Sequence, residues 1–193
     1  IEALLDPGRY PHPVERVERI ETHVSTVLLA GEFAYKIKKP VDLGFLDFRT
    51  LEQRAFFCTE EVRLNRRLAP DIYLGRIPIT GSSEAPVLGG EGAPIEYAVH
   101  MRRFPPAALL VDHLDRQALP LEVMDGLARL IADFHATAEQ APADSDYGEP
   151  EQVAAPVWDS LRDLQALREP TEQTDLAALE QWLAAELARL EPL

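Results

Sequence analysis

The chain has 193 residues, of which 46% are hydrophobic, and this length suffices for one domain or for one domain with part of another. Its formal net charge of −14 at pH 7 makes nucleic acid and anionic membrane surfaces poor partners, because both repel an acidic protein. A single cysteine, Cys58, excludes a framework of internal disulfides. No apolar run reaches the length of a membrane span and the first residues do not follow a signal-peptide pattern, so we expect a cytoplasmic protein.

Two β-prone runs predict a hairpin near the start of the chain. Residues 20–30 are rich in threonine, valine and leucine and predict a strand, and residues 33–38 read Phe-Ala-Tyr-Lys-Ile-Lys. The pair Gly31-Glu32 separates them, and a Gly-X pair in this position predicts a two-residue turn. Because side chains alternate along a strand, Lys36 and Lys38 should lie on the face opposite the aromatic residues.

A helix and two further strands are predicted next. Thr50 to Leu68 predicts a helix, which begins at a capping box formed by Thr50 and Gln53. Strands are predicted over residues 71–80 and 95–101, and the glycine-rich residues 81–92 between them predict a flexible turn.

From Leu121 onward the pattern predicts helices only. These helices cover residues 121–139, 157–167 and 175–190. Strands with one helix, followed by helices alone, predict an α+β fold with two lobes. We place the boundary after residue 101, so that residues 1–101 hold the sheet and the helix 50–68, and residues 102–193 hold the helical part.

Glu61 is a candidate functional residue because of its place on the predicted helix. It falls at helical spacing from apolar residues, namely Phe57, Leu64 and Leu68, whereas Glu60 falls on a largely solvated face. A carboxylate on an apolar stripe needs a cation, because burial of an unpaired charge is strongly unfavourable. Lys36 is the nearest candidate in the sequence, but Glu61 could equally be a surface residue that pairs with a neighbouring arginine.

The three lysines of the second strand have two interpretations. Lys36, Lys38 and Lys39 could form an exposed strand edge, where lysine prevents pairing with another chain. We expect this role for Lys38 and Lys39. Lys36 differs because it lies between Tyr35 and Ile37, well inside the strand, and a strand lysine followed by a helix glutamate is how kinases hold the phosphates of ATP.

Several stretches closely resemble one bacterial family. They are Glu21 to Pro40, Gly44 to Phe48, Glu60 to Pro70, Tyr97 to Pro105 and Leu130 to His135. The family is an uncharacterised one that is similar to aminoglycoside phosphotransferases and is often fused to a P-loop ATP-binding domain. The resemblance implies a protein-kinase-like fold with an N-terminal antiparallel sheet lobe and one helix, a hinge, and the start of a helical lobe.

The resemblance also implies roles for individual residues. Lys36 matches the strand lysine that contacts the α- and β-phosphates, and Glu61 matches the helix glutamate that orients it. Met101, Arg102 and Arg103 match the hinge, whose backbone groups read adenine. In place of a glycine-rich loop, the segment near His23-Val24-Ser25 would cover the phosphates with Ser25 or Thr26. ATP and Mg²⁺ are the implied cofactors, and the implied partners are a small-molecule substrate and a fused P-loop domain.

The chain departs from the family pattern at the catalytic centre. It has no glycine-rich loop and no His-Gly-Asp catalytic loop followed by a metal-binding aspartate. We therefore expect an ATP-binding portion of a small-molecule phosphotransferase, with the catalytic loop outside this chain, and we assign no catalytic or metal-ligating residue. The alternative is a non-catalytic kinase-like module that regulates a P-loop partner.

Overall fold

An antiparallel sheet of six strands forms the centre of the structure, a computed structural model that describes residues 1–115, 119–142, 144–167 and 173–190. The strands are β1 (Val17–Glu21), β2 (Ser25–Ala30), β3 (Phe33–Lys38), β4 (Tyr73–Gly81), β5 (Pro86–Leu88) and β6 (Glu96–Arg102). Their order across the sheet is β1-β2-β3-β6-β4-β5. The last strand in the chain, β6, therefore lies between β3 and β4.

Five α-helices accompany the sheet within the described residues. They are α1 (Leu51–Asn65), α2 (Leu110–Asp115), α3 (Leu121–Thr137), α4 (Pro150–Leu167) and α5 (Gln173–Leu190). The chain forms two compact units, Ile1–Phe134 and His135–Leu193. The first unit holds the sheet and α1, and in the second α4 packs on α5. The α+β class is thereby confirmed. Among the described residues, no helix has the length and apolar character needed to cross a membrane.

The predicted hairpin between β2 and β3 is confirmed. Ala30 pairs with Phe33 across the turn, and Gly31 adopts a positive φ of 58°. A Cβ atom at Gly31 would lie 2.6 Å from the carbonyl oxygen of Pro13, so only glycine fits there. The turn sets the register of the hairpin, and the register places Val27 beside Lys36.

The two faces of the sheet carry separate cores, because side chains alternate along each strand. On one face Leu28, Tyr35, Ile37 and Ala98 pack with Leu4 and Tyr10 from the N-terminal segment. On the other face α1 packs on β4 and β6, and Cys58 and Val62 of the helix meet Val99. Lys36 pairs with Val99 across the sheet, so the even-numbered residues of β3 lie on the α1 side.

Helix α1 begins as predicted, but its packed face is different from the predicted stripe. Thr50 Oγ1 accepts a hydrogen bond from Gln53 N, and Gln53 Oε1 accepts one from Thr50 N, which completes the capping box. The buried residues of the helix are Arg54, Cys58 and Val62, whereas Leu64 and Leu68 are exposed. The prediction that Leu64 and Leu68 lie on the packed face is therefore wrong. The packed face instead contains an arginine that is paired with a carboxylate.

Arg54 fixes α1 to the sheet and to the loop before the helix. Its guanidinium makes three bonds of 2.9–3.0 Å to the carboxylate of Glu96 on β6. Its Nη1 also donates to the carbonyl oxygens of Phe48 and Arg49, each at 2.9 Å. An ion pair therefore holds this part of α1 on the sheet, at a position where hydrophobic periodicity predicts an apolar side chain.

Three element boundaries differ from the sequence-based expectations. The strand predicted over residues 20–30 is broken, because Thr22 N and Oγ1 both bond to the carbonyl oxygen of Ser25 and close a turn between β1 and β2. The turn predicted over residues 81–92 contains β5, which pairs with β4. Helix α4 begins at Pro150, before the predicted start at residue 157, and proline is tolerated in the first helical turn.

The Arg54–Glu96 pair generates a prediction about stability. Arg54→Met should lower the free energy of unfolding by about 3 kcal/mol, because it removes the cation from Glu96 and the donor from two carbonyl oxygens. The control is Arg16→Met, since Arg16 forms an exposed pair with Glu18 and such pairs contribute at most about 1 kcal/mol. Urea denaturation measures both values, and equal effects of the two substitutions would contradict the role of Arg54.

Candidate functional site

The strand lysine and the helix glutamate predicted from the sequence meet in the structure. Lys36 Nζ donates to Glu61 Oε1 at 2.9 Å, across the space between β3 and α1. The side chain of Glu61 is 13% exposed and that of Lys36 is 30% exposed. Glu60, the neighbouring carboxylate, instead bonds to Arg63 on the surface of the helix. The structure therefore pairs the residue that the sequence singled out.

Lys38 is a second cation at the same carboxylate, and its predicted role at an exposed strand edge is wrong. Its Nζ donates to Glu61 Oε2 at 2.6 Å, its side chain is only 6% exposed, and its ammonium group lies 4.9 Å from the ring centroid of Phe48. Strand β3 has neighbours on both sides, β2 and β6, so it is no edge. Lys39 does lie outside this cluster, where it pairs with Glu21.

The charges of the cluster hold Glu61 in its ionised form. Burial alone would raise the pKa of Glu61, but hydrogen bonds from Lys38 and Lys36 outweigh burial and lower it. The pKa of Tyr73 on β4 is also raised, mainly by burial and to a smaller extent by the negative charge of Glu61. Burial raises the pKa of Cys58 to about 11, so this thiol is protonated at neutral pH.

An apolar row lies next to Lys36 on the same face of the sheet. Ala34 of β3 pairs with Leu29 of β2 and with Met101 of β6, so the three side chains share one face. Helix α1 covers β4 and β6, and toward the outer strands this face is less covered, since Ile20 on β1 is 48% exposed. Leu29 and Ala34 were not among the residues singled out from the sequence. The signal was available, because the kinase strand motif Val-Ala-Ile-Lys also places an alanine two residues before its lysine.

The predicted hinge residues lie at the end of β6. Met101 contributes to the apolar row described above, and Arg103 Nη2 bonds to Glu18 at 3.2 Å. The backbone N–H groups of Arg102 and Arg103 donate to the carbonyl oxygens of Ile72 and Glu32, each at 2.8 Å. These two donors are therefore already bonded within the protein, and a ligand in the row would have to use other groups of this segment.

Ser25 lies at the start of β2, opposite Lys38 in the hairpin register. Its side chain is completely buried, and its hydroxyl has no hydrogen-bond partner among the described residues. The structure thus places Ser25 inside the protein, where its hydroxyl is not accessible to a phosphate.

Candidate metal ligands are not clustered in the described part of the chain. No group of three or more His, Cys, Asp or Glu side chains there could hold a metal ion. The acidic side chains around the cluster, Glu61 and Glu96, are each engaged by a basic residue. The cluster of Lys36, Lys38 and Glu61 thus has more positive than negative groups, and it lies beside the apolar row.

Comparison with known proteins gives mycobacterial relatives of undetermined role. The chain is 37% identical over 157 residues to "Uncharacterized protein Rv2004c" of Mycobacterium tuberculosis and to "Uncharacterized protein Mb2027c" of Mycobacterium bovis. The matched region covers 79% of this chain and 30% of each relative, so the chain spans less than a third of their length. No family model matches the chain, and no solved structure matches it.

The geometry of Glu61 generates a prediction about acid stability. Glu61→Gln should lower the free energy of unfolding by about 3 kcal/mol at pH 7, because it leaves the buried ammonium group of Lys38 without an anion. The folded-state pKa of Glu61 is lowered, so its contribution is present above the unfolded-state pKa and is lost as the pH falls through the folded-state value. The difference between the variant and the unaltered protein should therefore shrink below about pH 4.

Urea denaturation at a series of pH values checks this expectation. Glu60→Gln is the matched control, because it removes a neighbouring carboxylate on the exposed side of the same helix and should change stability little. A difference for Glu61→Gln that stayed constant down to pH 3 would contradict the ionised state of Glu61.

Proposed function

We propose that this chain is the ATP-binding portion of a small-molecule phosphotransferase with a protein-kinase-like N-terminal lobe. The observation that carries the proposal is the bond of 2.9 Å between Lys36 Nζ and Glu61 Oε1. In protein kinases a lysine on the third strand contacts the α- and β-phosphates and pairs with a glutamate on the following helix. Strand β3 and helix α1 have the same relation in this chain.

The apolar row supports binding of a purine next to the phosphates. Leu29 and Met101 are half-buried on either side of the buried Ala34, and a purine ring would pack on this apolar row. Ala34 and Lys36 are two residues apart on one strand, which separates their Cα atoms by about 7 Å. The lysine would thus lie beyond the edge of the ring, on the side where the phosphates begin. Met101, Arg102 and Arg103 would flank the purine, through groups other than the N–H groups of Arg102 and Arg103, which are bonded within the protein.

In this proposal the residues of this chain bind the nucleotide, and the groups that catalyse transfer lie elsewhere in the enzyme. ATP supplies the phosphoryl group, and Lys36 would hold its α- and β-phosphates while Glu61 keeps Lys36 in place. The described residues contain no cluster of three or more His, Cys, Asp or Glu side chains that could hold Mg²⁺. The phosphoryl acceptor, described as a small molecule, and a fused P-loop domain belong to the whole protein and rest on the family resemblance.

A second candidate function is a non-catalytic kinase-like module that docks on a P-loop partner. The observation that favours it is the apolar side of α3, where Val123, Leu127 and Leu130 are all exposed. The two candidate functions are separated by incubating this chain, and the longer relative from Mycobacterium tuberculosis, with γ-labelled ATP and a set of aminoglycoside and sugar acceptors. Transfer of the label favours the enzyme, whereas bound ATP without any transfer favours the module.

Nucleotide binding generates a direct prediction. Lys36→Ala should weaken binding of a fluorescent ATP analogue by at least about tenfold, because it removes a charge-assisted hydrogen bond to the phosphates. Lys39→Ala is the matched control: it removes the same charge from the same end of the hairpin, where Lys39 pairs with Glu21, and should change the Kd by less than about twofold. Fluorescence titration measures both, and equal affinities of the two variants would refute the role of Lys36.

A further inference from the structure

The cluster of Lys36, Lys38 and Glu61 carries two positive charges and one negative charge. Each lysine bonds to a different oxygen of the same carboxylate, at 2.9 Å and 2.6 Å. The cluster therefore has a formal charge of +1 in a chain whose formal net charge is −14. A local positive excess in an acidic protein is the electrostatic requirement for binding an anion.

The two lysines differ in their access to solvent. Lys36 is 30% exposed and lies beside the apolar row, whereas Lys38 is 6% exposed and is enclosed by Glu61 and the ring of Phe48. An anionic ligand can therefore approach Lys36 but not Lys38. Phe48 is itself held by Arg54, which bonds to the Phe48 carbonyl oxygen, so the wall beside Lys38 is fixed.

If Lys36 were the only lysine bonded to Glu61, it would have two anions to neutralise when a phosphate binds. The carboxylate and the phosphate are both anions, and Lys36 would have to neutralise both of them at short range. A second ammonium group that stays on the carboxylate removes this conflict. It also keeps Glu61 ionised, which agrees with the lowered pKa of that group despite its burial.

We propose that Lys38 is a positioning residue that stays bound to Glu61 and compensates its charge, so that Lys36 is free to bind the phosphates of a nucleotide. This inference rests on the proposed function, and it assigns distinct roles to two lysines on one strand: Lys36 contacts the ligand, and Lys38 acts only through Glu61. A purely structural Lys38 would instead stabilise the fold without any relation to the charge of the ligand.

The test compares a charged ligand with an uncharged one. Lys38→Met should weaken ATP binding by about tenfold, because Lys36 then has to neutralise Glu61 as well. Binding of adenosine, which has no phosphate, should change by less than about twofold, whereas a distorted site would lose both ligands. Lys38→Arg retains the charge and should keep ATP affinity within about twofold of the unaltered chain. Isothermal titration calorimetry on the full chain measures each Kd.

A double-variant cycle tests whether Lys38 acts through Glu61. With Glu61→Gln in place there is no carboxylate to compensate, so adding Lys38→Met should change ATP affinity by less than about twofold. The inference is overturned if ATP and adenosine weaken equally, if Lys38→Arg also weakens ATP binding tenfold, or if the loss persists in the Glu61→Gln background.

A nucleotide-free arm separates this inference from the proposed function. Cys58 is fully buried on α1 against the sheet, so alkylation of its thiol reports opening of the helix. Lys38→Met should raise the alkylation rate at least about fivefold above that of Lys36→Met, because Lys38 is the enclosed partner of Glu61. Mass spectrometry of the Cys58 peptide measures the rate. The opposite order would overturn the assignment of Lys38. A chain that binds neither ATP nor adenosine but keeps the expected order would refute the proposed function alone.

Discussion

Burial of the Glu61 carboxylate between β3 and α1 is the constraint on which the site depends. A charge in this position requires compensation, and the two lysines of β3 provide it from one face of a single strand. The lysines can do so because β3 is an inner strand, held between β2 and β6. Its fixed position gives both ammonium groups a fixed distance to the helix, and the same geometry places Lys36 beside the apolar row.

Local sequence signals predicted the parts of the fold that depend on neighbouring residues. The turn at Gly31 and the capping box of Thr50 and Gln53 each involve residues three positions apart or fewer, and both are present. The pairing of Lys36 with Glu61 was one of two interpretations that the unfavourable burial of an unpaired carboxylate left open, and the family resemblance favoured it. The stripe used in that argument was wrong at Leu64, since the packed face of α1 is centred on Cys58.

The remaining features depend on contacts between distant segments, which periodicity does not report. Lys38 looked like an edge residue because nothing in its own segment reveals that β6 lies alongside β3. Arg54 was given no role from the sequence, because its partner Glu96 is on a strand that comes much later in the chain. In both cases a charged side chain is buried because a distant partner satisfies it, and hydrophobic patterning excludes such residues by construction.

The insertion of β6 between β3 and β4 has a consequence for how the chain folds. Strand β3 ends at Lys38 and β6 begins at Glu96, so the inner side of β3 has no partner until most of the first unit has been synthesised. Closing such a long loop is slow relative to local hairpin formation. The hairpin of β2 and β3 can therefore form early on the ribosome, whereas the surroundings of Lys36 and Glu61 are completed only when β6 has entered the sheet, so the cluster would be a late product of folding.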